Sequence, residues 1–326
     1  MSTADALETV LSAGGAELAR GLQDTEARLA EVAEGHGAEL GRHASATLVA
    51  GGKRLRPVLV FLCGGSGDGL LRAAAAVELL HMASLVHDDV LDGASLRRGV
   101  PTVFASGGRG AAVATGDLLF SRAFAELRRT GSEPAVAALS EASSALARGE
   151  LVQRADAWSD SVTPERYLRR CELKTASLFA AAARLGALLG DESAPADADA
   201  LAGFGRRIGL AFQILDDVLD VSGPAERTGK HRGTDLLDGT VTLPLILARG
   251  RDPELAGMDL RALVSGPAQA DAVCDRIART GALGAAREEA LHHVAEAKAA
   301  LTALELPESR RRALQLVADG VVERYA

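Results

Sequence analysis

The pentapeptide Asp-Asp-Val-Leu-Asp occurs twice in this chain, as Asp88–Asp92 and again as Asp216–Asp220. Each copy closes an apolar, helix-forming run, with His81-Met-Ala-Ser-Leu-Val-His before the first and Ala211-Phe-Gln-Ile-Leu before the second. Each helical residue turns about 100°, so carboxylates at i, i+1 and i+4 fall within roughly a 100° arc. Like charges that close destabilise a helix, and more so on a buried face. A single Asp-Asp-x-x-Asp is more often a solvated face or a cap. Two identical copies, each flanked by apolar residues, weaken that reading, and the surrounding sequences share too little to make an internal repeat the simpler account. A hard, oxygen-seeking cation would compensate the charge. Mg²⁺ takes carboxylate oxygens, keeps some of its waters and is usually completed by substrate phosphates. Two tripods therefore imply one site with two walls and a polyanionic substrate between them.

Composition narrows the rest. Aromatic residues make up 3% of the chain and apolar residues 48%, so the core must be aliphatic and alanine-rich. The net charge of −8 argues against nucleic acid, which requires a basic stripe. Cys63, Cys171 and Cys274 lack metal-type spacing and read as free thiols in a reducing cytoplasm. Asp5 and Glu8 stand where a targeting segment would be apolar. Charge breaks the apolar runs short of about 18 residues, as Arg184 does between Leu178 and Leu189, so no membrane span is expected.

Ala, Leu, Glu and Arg recur at helical spacing over residues 71–92, 110–129, 135–157 and 164–189, and no run alternates with period two. Breaks are expected at 64–69, 98–110, 131–134, 190–199, 223–239 and 250–253. The acidic 191–199 stretch reads as a surface loop. The aspartate motifs lie on either side of it, so a domain boundary there would divide the site. A single all-α domain over 1–326 is the expectation.

Cations follow the same logic. Gly51-Gly52-Lys53-Arg54-Leu55-Arg56-Pro57 puts a glycine pair before three cations, with Pro57 suited to the first turn of the next helix. Fixed charge beside free backbone N–H groups suits phosphate, although a solvated basic turn has the same letters, and the spacing is not that of a P-loop. Arg97 and Arg98 follow the first motif, Lys174-Thr175 lies in a helical stretch, and Lys230 follows the second motif.

These motifs together resemble the trans-isoprenyl diphosphate synthases, the polyprenyl synthetase family. The resemblance rests on Gly51–Pro57; Leu80-His81-x-Ala-Ser-Leu-x-His-Asp-Asp-x-x-Asp92; Arg97-Arg-Gly-x-Pro-Thr102; Gly116-Asp117; and Gly149-Glu150-Leu-x-Gln153. It continues through Lys174-Thr175, Phe212-Gln213-x-x-Asp-Asp-x-x-Asp220 and Gly229-Lys230-x-x-Gly-x-Asp235, in family order. It implies a helical bundle around a central cavity, usually homodimeric, that joins isopentenyl diphosphate to an allylic diphosphate. Asp88, Asp89, Asp92, Asp216, Asp217 and Asp220 would hold Mg²⁺, three ions per site, on the allylic diphosphate. Arg97, Lys174 and Lys230 would grip that group, lined by Thr175 and Gln213. Lys53, Arg56, His81 and Arg98 would bind isopentenyl diphosphate without metal. One departure stands out: Thr240 occupies a place where the family commonly has Lys, which removes a cation near the second wall.

Two other classes are compatible with an aspartate-rich metal site. A terpene cyclase would carry a different second metal motif and an aromatic pocket, and a regulatory subunit would usually lose one aspartate motif. Product length is expected to depend on Ala83 and Ser84, small residues one turn before Asp88 where short-product enzymes place a ring. This favours geranylgeranyl or longer products, and a bulky Ala83 substitute would fill channel rather than core. Phe120 and Phe124 would form a floor further down, or belong to ordinary helix–helix core.

Overall fold

The computed structural model describes residues 3–34, 36–49, 52–97, 99–190, 195–223 and 231–323. Arg98 and Lys230 lie outside them. The described chain is helical apart from one minimal hairpin, β1 (Leu96–Arg97) against antiparallel β2 (Val100–Pro101). Four helices lead into the first motif: α1 (Thr3–Ala33), α2 (Ala38–Val49), α3 (Leu55–Gly64) and α4 (Asp68–Leu91). After the hairpin come α5 (Val103–Arg128), α6 (Glu133–Ala155) and α7 (Pro164–Cys171). A π-helical turn (Glu172–Ala176) then runs into α8 (Ser177–Leu189), and α9 (Pro195–Ser222) carries the second motif. Beyond it lie α10 (Thr234–Leu237), α11 (Leu243–Arg249), α12 (Pro253–Ala256), α13 (Leu260–Leu263), α14 (Pro267–Arg279), α15 (Ala282–Leu301) and α16 (Glu308–Glu323).

Local chemistry sets the boundaries. Thr102 caps α5 by accepting from the Ala105 amide at 3.0 Å, so the helix begins at Val103 rather than after the expected 98–110 break. The glycines that argued for that break instead put a kink inside the helix, at Gly108 (φ 75°). Ser132 and Thr163 cap α6 and α7, each followed by proline in the first turn. The expected 164–189 helix is interrupted by the π turn, and part of the expected 190–199 loop is helical from Pro195.

The core is built of Leu, Val and Ala, as the composition requires, with Ala73–Ala76 and Ala182–Ala183 fully buried. Helix α4 packs mainly on α5, and α8 mainly on α9, with α8 also touching α3, α4 and α6. Helix α4 is a longer apolar run than expected: its 24 residues are long and apolar enough to cross a membrane, but 67% of the apolar window is buried inside the protein, as in a core helix. All three cysteines are buried and free.

Candidate active site

The first aspartate motif ends α4, with Asp92 at its C-cap. Asp89 is buried, and its Oδ1 accepts from Arg97 through Nε at 2.8 Å and Nη2 at 2.7 Å. The hairpin, with Arg97 on β1 and Gly99 at φ 77°, turns that guanidinium back on the helix end. Asp92 Oδ1 takes Arg154 Nη2 at 2.7 Å, and Arg154 Nε donates to Glu150 Oε1 at 2.9 Å. Glu150 Oε2 in turn meets Lys174 Nζ at 2.5 Å. Charges thus alternate from α4 through α6 to the π turn. Burial pushes the Asp88 carboxyl up to about 6; Glu150 and Asp92 push the same way, while Lys174 and Arg97 pull it down.

The second motif, on the last turns of α9, is arranged differently. Asp216 is exposed and Asp217 is buried. Tyr167 Oη donates to Asp217 Oδ2 at 2.8 Å and Gln213 Nε2 to Oδ1 at 2.7 Å. Burial pushes Asp217 up to about 7, against the pull of the Tyr167 bond and the Arg170 charge. Asp220 accepts the backbone N–H of Thr234 at 3.2 Å and of Asp235 at 3.1 Å, which caps the start of α10 and ties down the loop. The expected pair of equivalent tripods is therefore not what forms: Asp217 and Asp220 are held by donors of the protein itself.

Adjacent residues of the π turn reach both walls. Lys174 pairs with Glu150 beside Asp88, while Thr175 Oγ1 donates to Gln213 Oε1 at 2.7 Å, next to Asp217. Gly149 on α6 permits this, since a Cβ there would lie 2.6 Å from the Lys174 amide nitrogen. A π turn inserts one residue into the helical register, a feature frequent at functional sites.

The basic turn divides its labour. Arg54, at φ 48°, pairs with Glu26 and with buried Glu78, whose Oε1 lies 2.7 Å from Nη1. It therefore braces α1 and α4. Lys53 is exposed, and the half-buried Arg56 lays its guanidinium over the Phe179 ring at 4.6 Å. On α4, His81, Ser84, Leu85 and Asp88 are all partly exposed and share one face at i, i+3, i+4 and i+7, flanked by buried neighbours. Ala83 is off that face and fully buried in the core, so a bulky substitute there would press on core, not channel. Phe120 is 36% exposed on α5 and lies outside the core; Phe124, 5.4 Å away between centroids, packs against the core. Thr240 donates its amide to Asp235 O at 2.7 Å, within the loop that Asp220 caps.

Residues 38–278 match the polyprenyl synthetase family. The chain belongs to that family. As a polyprenyl synthetase it is a prenyltransferase of the polyprenyl diphosphate synthase class. It is 41% identical over 248 residues to "Heptaprenyl diphosphate synthase component 2" of Geobacillus stearothermophilus, covering 75% of this chain and 77% of that protein. It is 37% identical to the geranylgeranyl diphosphate synthase of Methanosarcina mazei, covering 84% and 86% of the two chains. Among solved structures, a polyprenyl synthase from Caulobacter crescentus CB15, complexed with calcium and isoprenyl diphosphate, superposes with a TM-score of 0.89 at 35% identity, over 98% of both chains.

Sequence reasoning missed Arg154, Tyr167 and Arg170, and gave Glu150 no role. The Glu150/Arg154 pair had a signal in its i, i+4 spacing. Tyr167 had none, because its partner lies 50 residues away.

Proposed function

We propose that this polyprenyl synthetase condenses isopentenyl diphosphate head-to-tail with an allylic diphosphate (dimethylallyl, geranyl or farnesyl), giving an all-trans product of geranylgeranyl length or longer and pyrophosphate. The observation that carries this is the π turn, whose consecutive residues Lys174 and Thr175 tie the two aspartate walls into one site. The residues fit Mg²⁺: the donors are all carboxylate oxygens, and Asp88, half-buried, lies beside the like charges of Glu150 and Asp92, which a cation would relieve. Among the described residues no three His, Cys, Asp or Glu side chains form a ready-made cage. That arrangement suits ions shared with substrate oxygens, and the calcium and isoprenyl diphosphate held by the Caulobacter protein support the same reading. Asp88, Asp92 and Asp216 are assigned as the principal metal-facing carboxylates, with Asp89, Asp217 and Asp220 as members of the walls. Bound Mg²⁺, with three ions assigned per site, would neutralise the departing pyrophosphate.

Each residue then has a task. Arg97, Lys174 and Lys230 hold the allylic diphosphate, with Thr175 and Gln213 beside it, and favour charge separation as the C–O bond breaks. Lys53, Arg56, His81 and Arg98 hold isopentenyl diphosphate so that its double bond attacks within one complex. The aliphatic walls exclude water, which would quench the allylic cation to an alcohol. The released pyrophosphate is the acceptor of the final proton. A homodimer of one domain per chain, working in the cytoplasm, completes the proposal.

The purified protein is incubated with Mg²⁺, isopentenyl diphosphate and each allylic diphosphate in turn, and the dephosphorylated products are sized by chromatography. No prenyl product with any starter overturns the proposal. A second reading comes from the relative named as component 2: the chain would be one component of an enzyme that needs a second chain. Light scattering together with turnover of the chain alone separates the two, since a self-sufficient homodimer needs no partner.

A further inference from the structure

Arg56 stands in the first turn of α3, and the ring that orients it comes from α8. Its guanidinium carbon sits 4.6 Å from the centroid of Phe179, inside the range where a cation is drawn to the negative face of a ring. Phe179 is 1% exposed and lies in the first turn of α8, five residues beyond Lys174. Its ring meets Phe212 at 5.6 Å and 39°, and Phe212 precedes Gln213, the residue that bonds Asp217. The backbone beneath the ring has no slack. A Cβ on Gly205 would lie 2.5 Å from the Phe179 carbonyl oxygen, and one on Gly209 would lie 3.1 Å from Phe179 Cβ. Helix α9 is thus seated directly against the residue that carries the ring.

The geometry points to Phe179 as a positioning residue for isopentenyl diphosphate: its ring holds the Arg56 guanidinium from one side and so directs its N–H donors toward the diphosphate. A guanidinium is planar and weakly hydrated, so stacking removes little of its hydrogen-bonding capacity while fixing its plane. The edge donors are the ones that bind phosphate oxygens in pairs. A fixed plane loses less entropy when the diphosphate binds than a free arginine would. The Phe179–Phe212 contact, a buried ring against a half-buried one, also joins this subsite to the second aspartate wall. The inference rests on the reading of Arg56 as a ligand of isopentenyl diphosphate.

The test uses the full chain with Mg²⁺ and a saturating allylic diphosphate, and follows KM for isopentenyl diphosphate. Phe179→Met keeps an apolar side chain of similar reach without a ring face, and should raise that KM about tenfold. Its kcat and its KM for the allylic substrate should stay within about twofold of wild type. Phe179→Tyr keeps the ring face and should hold KM near the wild-type value. In an Arg56→Met background, Phe179→Met should add nothing, because the ring acts through that guanidinium. Effects that multiply independently in the double variant overturn the inference and leave the function intact. Arg56→Met with a normal KM overturns both the inference and the Arg56 assignment. Arg56→Lys leaves the Phe179 core untouched and keeps the charge without the plane, so an unchanged KM in that variant also overturns the inference, even if the Phe179 variants do not fold.

Discussion

The two Asp-Asp-Val-Leu-Asp copies have the same letters and opposite surroundings. The first is met by side-chain cations, Arg97 on Asp89 and Arg154 on Asp92, of which Arg154 is 44% exposed on a flexible stem. The second is met by neutral and backbone donors: Tyr167 and Gln213 on Asp217, and two amides on Asp220. A mobile arginine can release a carboxylate to another cation. A buried phenol and a helix start cannot. The difference teaches that one wall is built to exchange partners, whereas most of the other is fixed scaffold that leaves Asp216 as its exposed carboxylate.

The largest effect should come from the two leading aspartates. Asp88→Ala and Asp216→Ala should each lower turnover by about 10²–10³-fold or more, with circular dichroism showing the helical fold intact. Near-normal turnover of either variant in Mg²⁺ would break the two-wall site. The comparison sharpens if Asp217→Ala behaves differently. That variant leaves the Tyr167 hydroxyl and the Gln213 amide without their acceptor, and Arg170 without a nearby opposite charge, in the interior, which costs about 3 kcal/mol of stability. Asp89→Ala frees a half-exposed arginine and should cost about 1 kcal/mol. Denaturant midpoints measure both, and equal losses would mean the walls are not built differently.

The copies should also separate by pH. Both Asp88 (up to about 6) and Asp217 (up to about 7) lie above the ordinary 3.8 because burial disfavours the charged form. A carboxyl whose folded pKa is raised contributes stability below its unfolded value, and that contribution is lost as pH rises through the folded value. Stability of Mg²⁺-free protein should therefore fall between about pH 4 and 7, and Asp88→Asn should remove about 2 kcal/mol of that fall, between about pH 4 and 6. An unchanged fall in Asp88→Asn would mean that Asp88 is not half-buried beside like charges.

Much of this was legible in the sequence, for identifiable reasons. Helical periodicity and the repeated pentapeptide are local signals, and most helices and both motifs follow from them; the Thr102 cap is local too but goes unread, so the expected start of α5 falls too late. What separates the two copies is not local. Arg154 is 62 residues from Asp92 and Tyr167 is 50 from Asp217, so no window around either motif contains the partner that sets its behaviour. The same blindness explains Arg54, one of three cations within four residues, which its positive φ turns toward Glu26 and Glu78. It also explains Phe120, whose apolar side chain sits on the exposed face of α5.

The smallest effect concerns product length, and it tests the first copy's own helix. Toward its N-terminal side, α4 continues the face of Asp88 through Ser84 and Leu85 to His81, all partly exposed, whereas the next turn back (Val77, Glu78) is buried. A growing prenyl tail that leaves the metal along this helix would pass Ser84 first. An isoprene unit spans roughly 5 Å, close to the pitch of about 5.4 Å per turn, so a ring one turn below Asp88 should remove later additions without touching the first. Ser84→Phe should therefore shift the products toward farnesyl length while leaving the melting temperature nearly unchanged. Ala83→Phe presses a ring into a fully buried position and should lose about 1–3 kcal/mol by overpacking, with a smaller shift in length. Chromatography of dephosphorylated products, read beside thermal melts of the same variants, separates the outcomes. If Ala83→Phe shortens the product at no loss of stability and Ser84→Phe does not, the tail runs along the Ala83 face, and the partly exposed stripe of α4 is not its wall.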